Sequence, residues 1–357
     1  MKSKVIINSE NRFQRIINVL LLNASFIDNL GLMHGKMGIA IYFFHLSRET
    51  KNQVYENYAG ELIDEIYEEI TVTTPLDFEN GLAGIGWGIE YLVQSGFLEA
   101  DTDEVLEDFD SRLQPSQDQF QGIGLLKGLI GLGAYYLKRI QKPASVDEKV
   151  STLINKQMLL RLIEELELRI ENEGIITLIN VSDTFTLTWD YPVLIAFLTE
   201  VHQLNLFNFK VGRLLQKVID PLFQQINLPR LQSKRLLLAL AIERIKNCKI
   251  EQWQDGSIDG LIQNLLNGID REAISDELPP NSAFMQNGTS GIAWIYKQLF
   301  HLIGDEVFQT EALYWNSRSL EFEETNQGFA GFNVAKENED KAFGVLNGIA
   351  GINLIQL

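Results

Sequence analysis

Residues 79–92 read Glu79-Asn80-Gly81-Leu82-Ala83-Gly84-Ile85-Gly86-Trp87-Gly88-Ile89-Glu90-Tyr91-Leu92. A Gly-x-x-Gly pair leading into an apolar run is a costly way to open a helix, since each interior glycine loses about 1 kcal/mol against alanine. A chain that accepts this cost repeatedly, at one phase, has a geometric reason for it. The pattern does recur: Gly35-Lys-Met-Gly38-Ile39, Gly128-Leu-Ile-Gly131-Leu132, Gly288-Thr-Ser-Gly291-Ile292 and Gly348-Ile-Ala-Gly351-Ile352 carry the same signature. Steps between second glycines are 46, 47, 160 and 60 residues. The long step holds about three repeats, so two degenerate copies are expected inside it, and seven units in all.

Each unit reads as a pair of helices. The segments after the glycines, such as Gly38 to Leu46, are apolar nearly all round, which predicts helices buried on every side. The segments between them are amphipathic. Glu56 to Ile70 places Leu62, Ile63, Ile66, Tyr67 and Ile70 on one face, and Lys156 to Ile170 places Leu159, Leu160, Ile163, Leu166 and Ile170 likewise. The missing fourth inner helix fits Trp189-Asp190-Tyr191-Pro192 and the run after it, with Pro192 in the first turn. The fifth fits Leu236 to Ile245. An open helical solenoid needs polar end caps, whereas the last unit here is the apolar GINLIQL. The expectation is an all-α fold, an α/α toroid of seven inner and seven outer helices forming one domain over residues 1–357. The stretch Asp276 to Ser282 is read as a linker into the sixth unit.

Composition excludes several classes. The net charge is −18, with 48 acidic against 30 basic residues, which argues against a nucleic-acid partner. An acidic surface tolerates or attracts a cationic peptide and also keeps a protein soluble. A single cysteine, Cys248, rules out an internal disulfide framework and a cysteine-rich metal site within one chain. With no apolar run near the ~20 residues of a membrane span and no signal-like N-terminus, a soluble cytoplasmic protein is expected.

The repeats resemble the lanthionine synthetase C family, the cyclases of lantibiotic maturation and their relatives. The resemblance runs from Gly31 to Leu357, carried by GLMHGKMGIA (31–40), ENGLAGIGWGIEYL (79–92), NGTSGIAWIYKQL (287–299) and LNGIAGINLIQL (346–357). It implies a toroid of seven inner and seven outer helices. It also implies a zinc ion held by two cysteines and a histidine, which activates a substrate thiol for thioether formation on a dehydrated peptide. This chain departs from that pattern. The family's Cys-His-Gly motif stands here as Gln286-Asn287-Gly288. Its Trp-Cys-Tyr-Gly motif has one echo, Trp189-Asp190-Tyr191-Pro192, displaced by one repeat. Cys248 matches neither position, so the family zinc is expected to be absent, with no cofactor in its place.

The candidate residues follow from phase. His34 precedes the first repeat glycine, and Asn80, Lys127, Asn287 and Asn347 hold the same place in other units. With Gln286 they form a candidate polar ring for ligand binding. The alternative is that they satisfy the free N–H groups of helix starts, as asparagine does well. His34 is the candidate proton-handling group, with Asp190 as a second. Asp77, Glu79 and Asp190 read either as an acid/base set or as helix caps and dipole partners. The acidic run Asp101 to Asp110 reads as a solvated outer helix, or else as a surface that docks a basic partner. Three functions are compatible. The first is a zinc-free pseudo-cyclase that binds or scaffolds a ribosomally made peptide, with the peptide or a modification enzyme as partner. The second is a metal-independent peptide-modifying enzyme that closes thioethers. The third is a carbohydrate-active α/α barrel, which requires two carboxylates roughly 5 to 9.5 Å apart.

Overall fold

A computed structural model describes residues 2–141, 149–180, 183–224, 227–246, 248, 250, 253, 256–321, 342–355 and 357. Among these residues every regular element is helical. The helices alternate as expected, a flanking helix and then a buried one. The first pair is α1 (Lys2–Asn23) and α2 (Lys36–Thr50), the second α3 (Gln53–Glu69) and α4 (Leu82–Gln94). In the third, the flanking segment breaks into α5 (Thr102–Val105) and α6 (Glu107–Leu113) before α7 (Leu129–Ile140). Next come α8 (Val150–Glu173) with a short α9 (Ile175–Asn180), then α10 (Asp190–Gln203), and α11 (Asn208–Ile219) with α12 (Gln232–Ile245). The last pairs are α13 (Ser257–Leu266) with a short α14 (Arg271–Glu277) before α15 (Thr289–Ile303), and α16 (Glu306–Glu321) before α17 (Ile349–Leu354). The seven buried helices include the two glycine-less copies located by phase. The supposed linker is helical at its start, since Asp276 and Glu277 close α14. No described helix is long and apolar enough to cross a membrane.

Contacts divide the chain into two units: Met1–Phe109 with Pro279–Trp294 and Gln309–Leu357, and Asp110–Leu278 with Ile295–Phe308. In the first unit α2 packs on α3, α4 and α17, and α17 packs on α1. Most of α2 is buried, from Met37 through Phe44, whereas α3 buries only the stripe Tyr55, Ala59, Leu62, Ile63 and Ile66. Each fully buried aliphatic side chain of this kind contributes about 1.5–3 kcal/mol. The fully buried Asn353 fixes the last helix, its amide donating to the Tyr42 hydroxyl at 3.1 Å and to the Phe13 carbonyl at 3.4 Å. The last repeat is thus joined to the first inside one unit.

The glycines have a shared local cause. Each glycine-bearing helix starts from a loop that folds back on its own first turn. The Lys36 and Met37 amides donate to the carbonyls of Asn29 and Leu30, and those of Leu82 and Ala83 to Pro75 and Leu76. These bonds run seven residues back and satisfy amides that would otherwise need a capping side chain. They bring the loop so close that a Cβ on Gly81 would lie 2.3 Å from the Pro75 oxygen, and one on Gly84 would lie 2.1 Å from the Phe78 oxygen. Gly81 itself has ordinary extended φ and ψ of −118° and −167°, so it answers a steric need and no left-handed turn. What the motif glycines admit most closely is the chain's own loop.

In the second unit α10 packs on α7, α11 and α12, while α12 packs on α13 and α14. The acidic run expected to be solvated is only partly so. Asp110 is buried, accepting from Arg139 at 2.7 Å and from the Tyr135 hydroxyl at 2.6 Å. Arg139 is fully buried there, and breaking such a pair leaves an uncompensated charge at a cost of about 3–5 kcal/mol. Asp101 caps α5 through the Asp103 amide.

Candidate functional site

In the first unit four loops before buried helices are joined by backbone hydrogen bonds. Met33 N–H donates to the Glu79 carbonyl at 3.0 Å, and Val345 and Leu346 N–H both donate to the Met33 carbonyl at 3.0 Å. Gln286 N–H donates to the Leu346 carbonyl at 2.9 Å. Five sequence-predicted residues, His34, Asn80, Gln286, Asn287 and Asn347, therefore lie on loops bound into one cluster.

The side chains in this cluster are not helix caps. Because carbonyls occupy the first amides, the helices starting after Gly35, Gly81 and Gly348 have no side-chain cap. Asn80 accepts at Oδ1 from Asn29 at 2.8 Å, and its backbone N–H donates to Asp77 Oδ1 at 2.7 Å. Asn287 Oδ1 accepts from the Ser282 hydroxyl at 2.9 Å. Asn347 is half-buried. Asn29, which also accepts from Gly31 N–H at 2.8 Å, was missed in the sequence. Its signal was phase: Asn29, Pro75 and Ser282 each precede the first motif glycine by six residues.

The central interaction is between His34 Nε2 and Glu79 Oε1, 2.9 Å apart. His34 is 1% exposed and Glu79 8%. Its backbone is equally confined, since a Cβ on Gly344 would lie 2.4 Å from His34 Cα. With the proton on Nε2, the imidazole donates to the carboxylate and Nδ1 keeps its lone pair. Nδ1 is buried and has no hydrogen-bond partner among the described residues. An orphaned polar atom of this kind costs about 1–3 kcal/mol. The arrangement can hold one imidazole tautomer and offer one acceptor atom. Asp77 is engaged by a loop amide and Glu79 by an imidazole, so neither is a spare carboxylate for a glycosidase pair.

The remaining candidates lie in the second unit. Lys127 is exposed. Asp190 opens α10 with its Oδ1 where a Cβ on Gly124 would come within 2.7 Å. Burial pushes its carboxyl above the usual aspartate range. Sequence reading also missed Lys234, which is buried with Nζ 4.8 Å from the centre of the Trp189 ring. Burial, opposed by Asp183, pulls its ammonium down. In phase Lys234 replaces a second motif glycine. Cys248 is buried, its thiol facing the Thr199 carbonyl at 3.7 Å and pushed up to about 11 by burial. Among the described residues no three His, Cys, Asp or Glu side chains converge as a metal-holding group. These donors do not fit a Cys, Cys and His zinc centre.

The same fold occurs in nisin cyclase, which superposes with a TM-score of 0.64 over 97% of this chain and 92% of that one, at 15% sequence identity. No curated protein matches the chain in sequence. Residues 27–175 match the family described as lanthionine synthetase C-like protein. Residues 27–175 are thus similar in sequence to the lanthionine synthetase C-like family, and the all-helical α/α-toroid fold is the one that nisin cyclase shares.

Proposed function

We propose that the chain is a zinc-free pseudo-cyclase, a lanthionine synthetase C-like protein that binds a ribosomally made peptide and presents it to partner enzymes. The observation that carries this reading is the donor set. Gln286 and Asn287 stand where the family motif has cysteine and histidine, and Asn287 is bonded to Ser282. The one thiol, Cys248, faces a core carbonyl and resists ionisation, whereas a zinc ligand must be a thiolate. The joined loops of the first unit supply half-buried amides suited to an extended peptide backbone. The test is elemental analysis of tag-free protein with a zinc titration, beside calorimetric binding of a dehydrated, cysteine-containing precursor peptide. Peptide binding without stoichiometric zinc is expected. Stoichiometric zinc would return metal-dependent cyclisation to the front, and no binding of any precursor would end the peptide reading.

A second reading has its own observation. The His34–Glu79 pair, with Nδ1 unengaged, is an arrangement for taking and returning one proton without metal. On that reading His34→Gln abolishes turnover of a dehydrated peptide while the fold persists. Unchanged turnover in that variant removes the idea.

A further inference from the structure

A cavity of about 370 Å³ lies in the first unit at the far end of α2, lined by Phe44, Ser47, Arg48, Lys51, Glu56 and Phe97 among others. Arg48 is about 18 Å along the helix from Lys36, at 1.5 Å per residue, so this cavity is distinct from the His34 loops. We propose that it binds the carboxylate-bearing end of a peptide chain.

Three observations point to that chemistry. The first is a fixed guanidinium. Arg48 lies 3.5 Å over the Phe97 ring and donates one N–H to the Ser95 carbonyl at 2.7 Å. A guanidinium has five donors in a rigid fork, so holding it on a ring and a carbonyl prepares the others for a planar carboxylate. The second is unspent positive charge. The chain carries a net −18, and cations such as Lys36, Lys210 and Lys217 meet carboxylates at 2.7–2.9 Å. Arg48 and Lys51 meet none among the described residues, although they adjoin one cavity. The third is the backbone of Lys51. It ends α2 in the left-handed region, at φ 56° and ψ 32°, where glycine is the residue of least strain. The strained backbone at this position holds the Lys51 side chain at the cavity.

The rest of the lining selects among anions. Phe44 and Phe97, with ring centres 5.5 Å apart, form an apolar floor for a side chain. Glu56, reached weakly by the Ser47 hydroxyl at 3.5 Å, disfavours phosphate or a purely anionic ligand and accepts an N–H. Carboxylate, adjoining apolar side chain and amide N–H together describe the last residue of a peptide. The reading above enters only in naming a peptide as the source of the carboxylate.

The test is calorimetric titration of the full chain with N-acetyl-L-phenylalanine, its primary amide and free L-phenylalanine. Saturable binding of the acid is expected, with the amide weaker by about tenfold or more for loss of the charge-assisted bonds. Arg48→Gln should lose that preference. Lys51→Gly should lose affinity while its melting temperature holds or rises, a combination that a merely structural lysine does not give. Equal binding of acid and amide, absence of binding, or undiminished binding by Lys51→Gly each overturns the proposal. Tighter binding of free phenylalanine than of its N-acetyl form overturns the peptide source and assigns an amino-acid zwitterion. Retained N-acetylphenylalanine binding with no precursor-peptide binding would fault the reading of the His34 loops and leave this cavity standing.

Discussion

The glycine-bearing repeats of the first unit and the glycine-less fifth repeat of the second start their helices in opposite ways. In the first unit the loop's own carbonyls cap the first turn, as Pro75 and Leu76 do for Leu82 and Ala83. In the second, the amides of Gln232 and Ser233 donate to the two oxygens of Glu277 at 2.7 and 2.8 Å. Backbone capping requires the glycines and leaves loop side chains available. Side-chain capping releases the glycine requirement and consumes a carboxylate. The acids near the helix starts differ too: the buried Glu79 has His34 at 2.9 Å, whereas the half-buried Asp190 has no hydrogen-bond or ion-pair partner among the described residues. The loop side chains released from capping bond one another instead, as Asn80 does with Asn29 and Asn287 with Ser282.

The largest effect expected from this contrast is Gly84→Ala. Its methyl would lie 2.1 Å from a backbone oxygen, which no side-chain rotation relieves. Destabilisation at or above the upper end of the usual 1–3 kcal/mol for overpacking is expected in urea denaturation. A near-neutral result would mean that the loop yields and the glycines have another purpose. Glu277→Ala comes next, at about 1–2 kcal/mol for the lost cap, read the same way. If it proved silent, the fifth helix would not depend on that carboxylate and the contrast would fail on its other side.

Asp190→Asn gives the smallest effect and the clearest pH dependence. Burial raises the folded carboxyl above its unfolded value, so the folded state holds the proton more tightly. Stability from this group is greatest below the ordinary aspartate range, falls as pH rises through the raised value, and stays reduced at neutrality. The asparagine variant is expected to melt slightly higher than the parent at pH 7 and to converge with it in acid. A lower melting temperature at pH 7 would mean that the charge has a stabilising partner, or that the helix dipole outweighs burial. Glu79, held by His34, is the internal contrast.

Much of the fold was legible. The phase of the Gly-x-x-Gly pairs and the all-round apolar helices gave seven buried helices and located α10 and α12 without their glycines. Polarity along a helix is a local property, so periodicity reports it. Other features were not legible. Asp110 sits in a run of acids that reads as solvated, and only the packing of α7 brings Arg139 to it. Asn29 and Ser282 are ordinary polar residues until the loop folds back seven residues. His34 was visible as a candidate by phase, but its partner Glu79, 45 residues away, was one of three acids with equal claims.

The sequence by itself determined the seven buried helices and their pairing with amphipathic segments, because each depends on residue types at fixed spacing. The tertiary structure alone decided which side chains meet. It took Asp77 and Asn80 into the loop network, joined His34 to Glu79, set Lys234 over Trp189 and placed Arg48 and Lys51 at one cavity. Those outcomes depend on which side chains from different elements meet in space, and one-dimensional spacing carries no information about that.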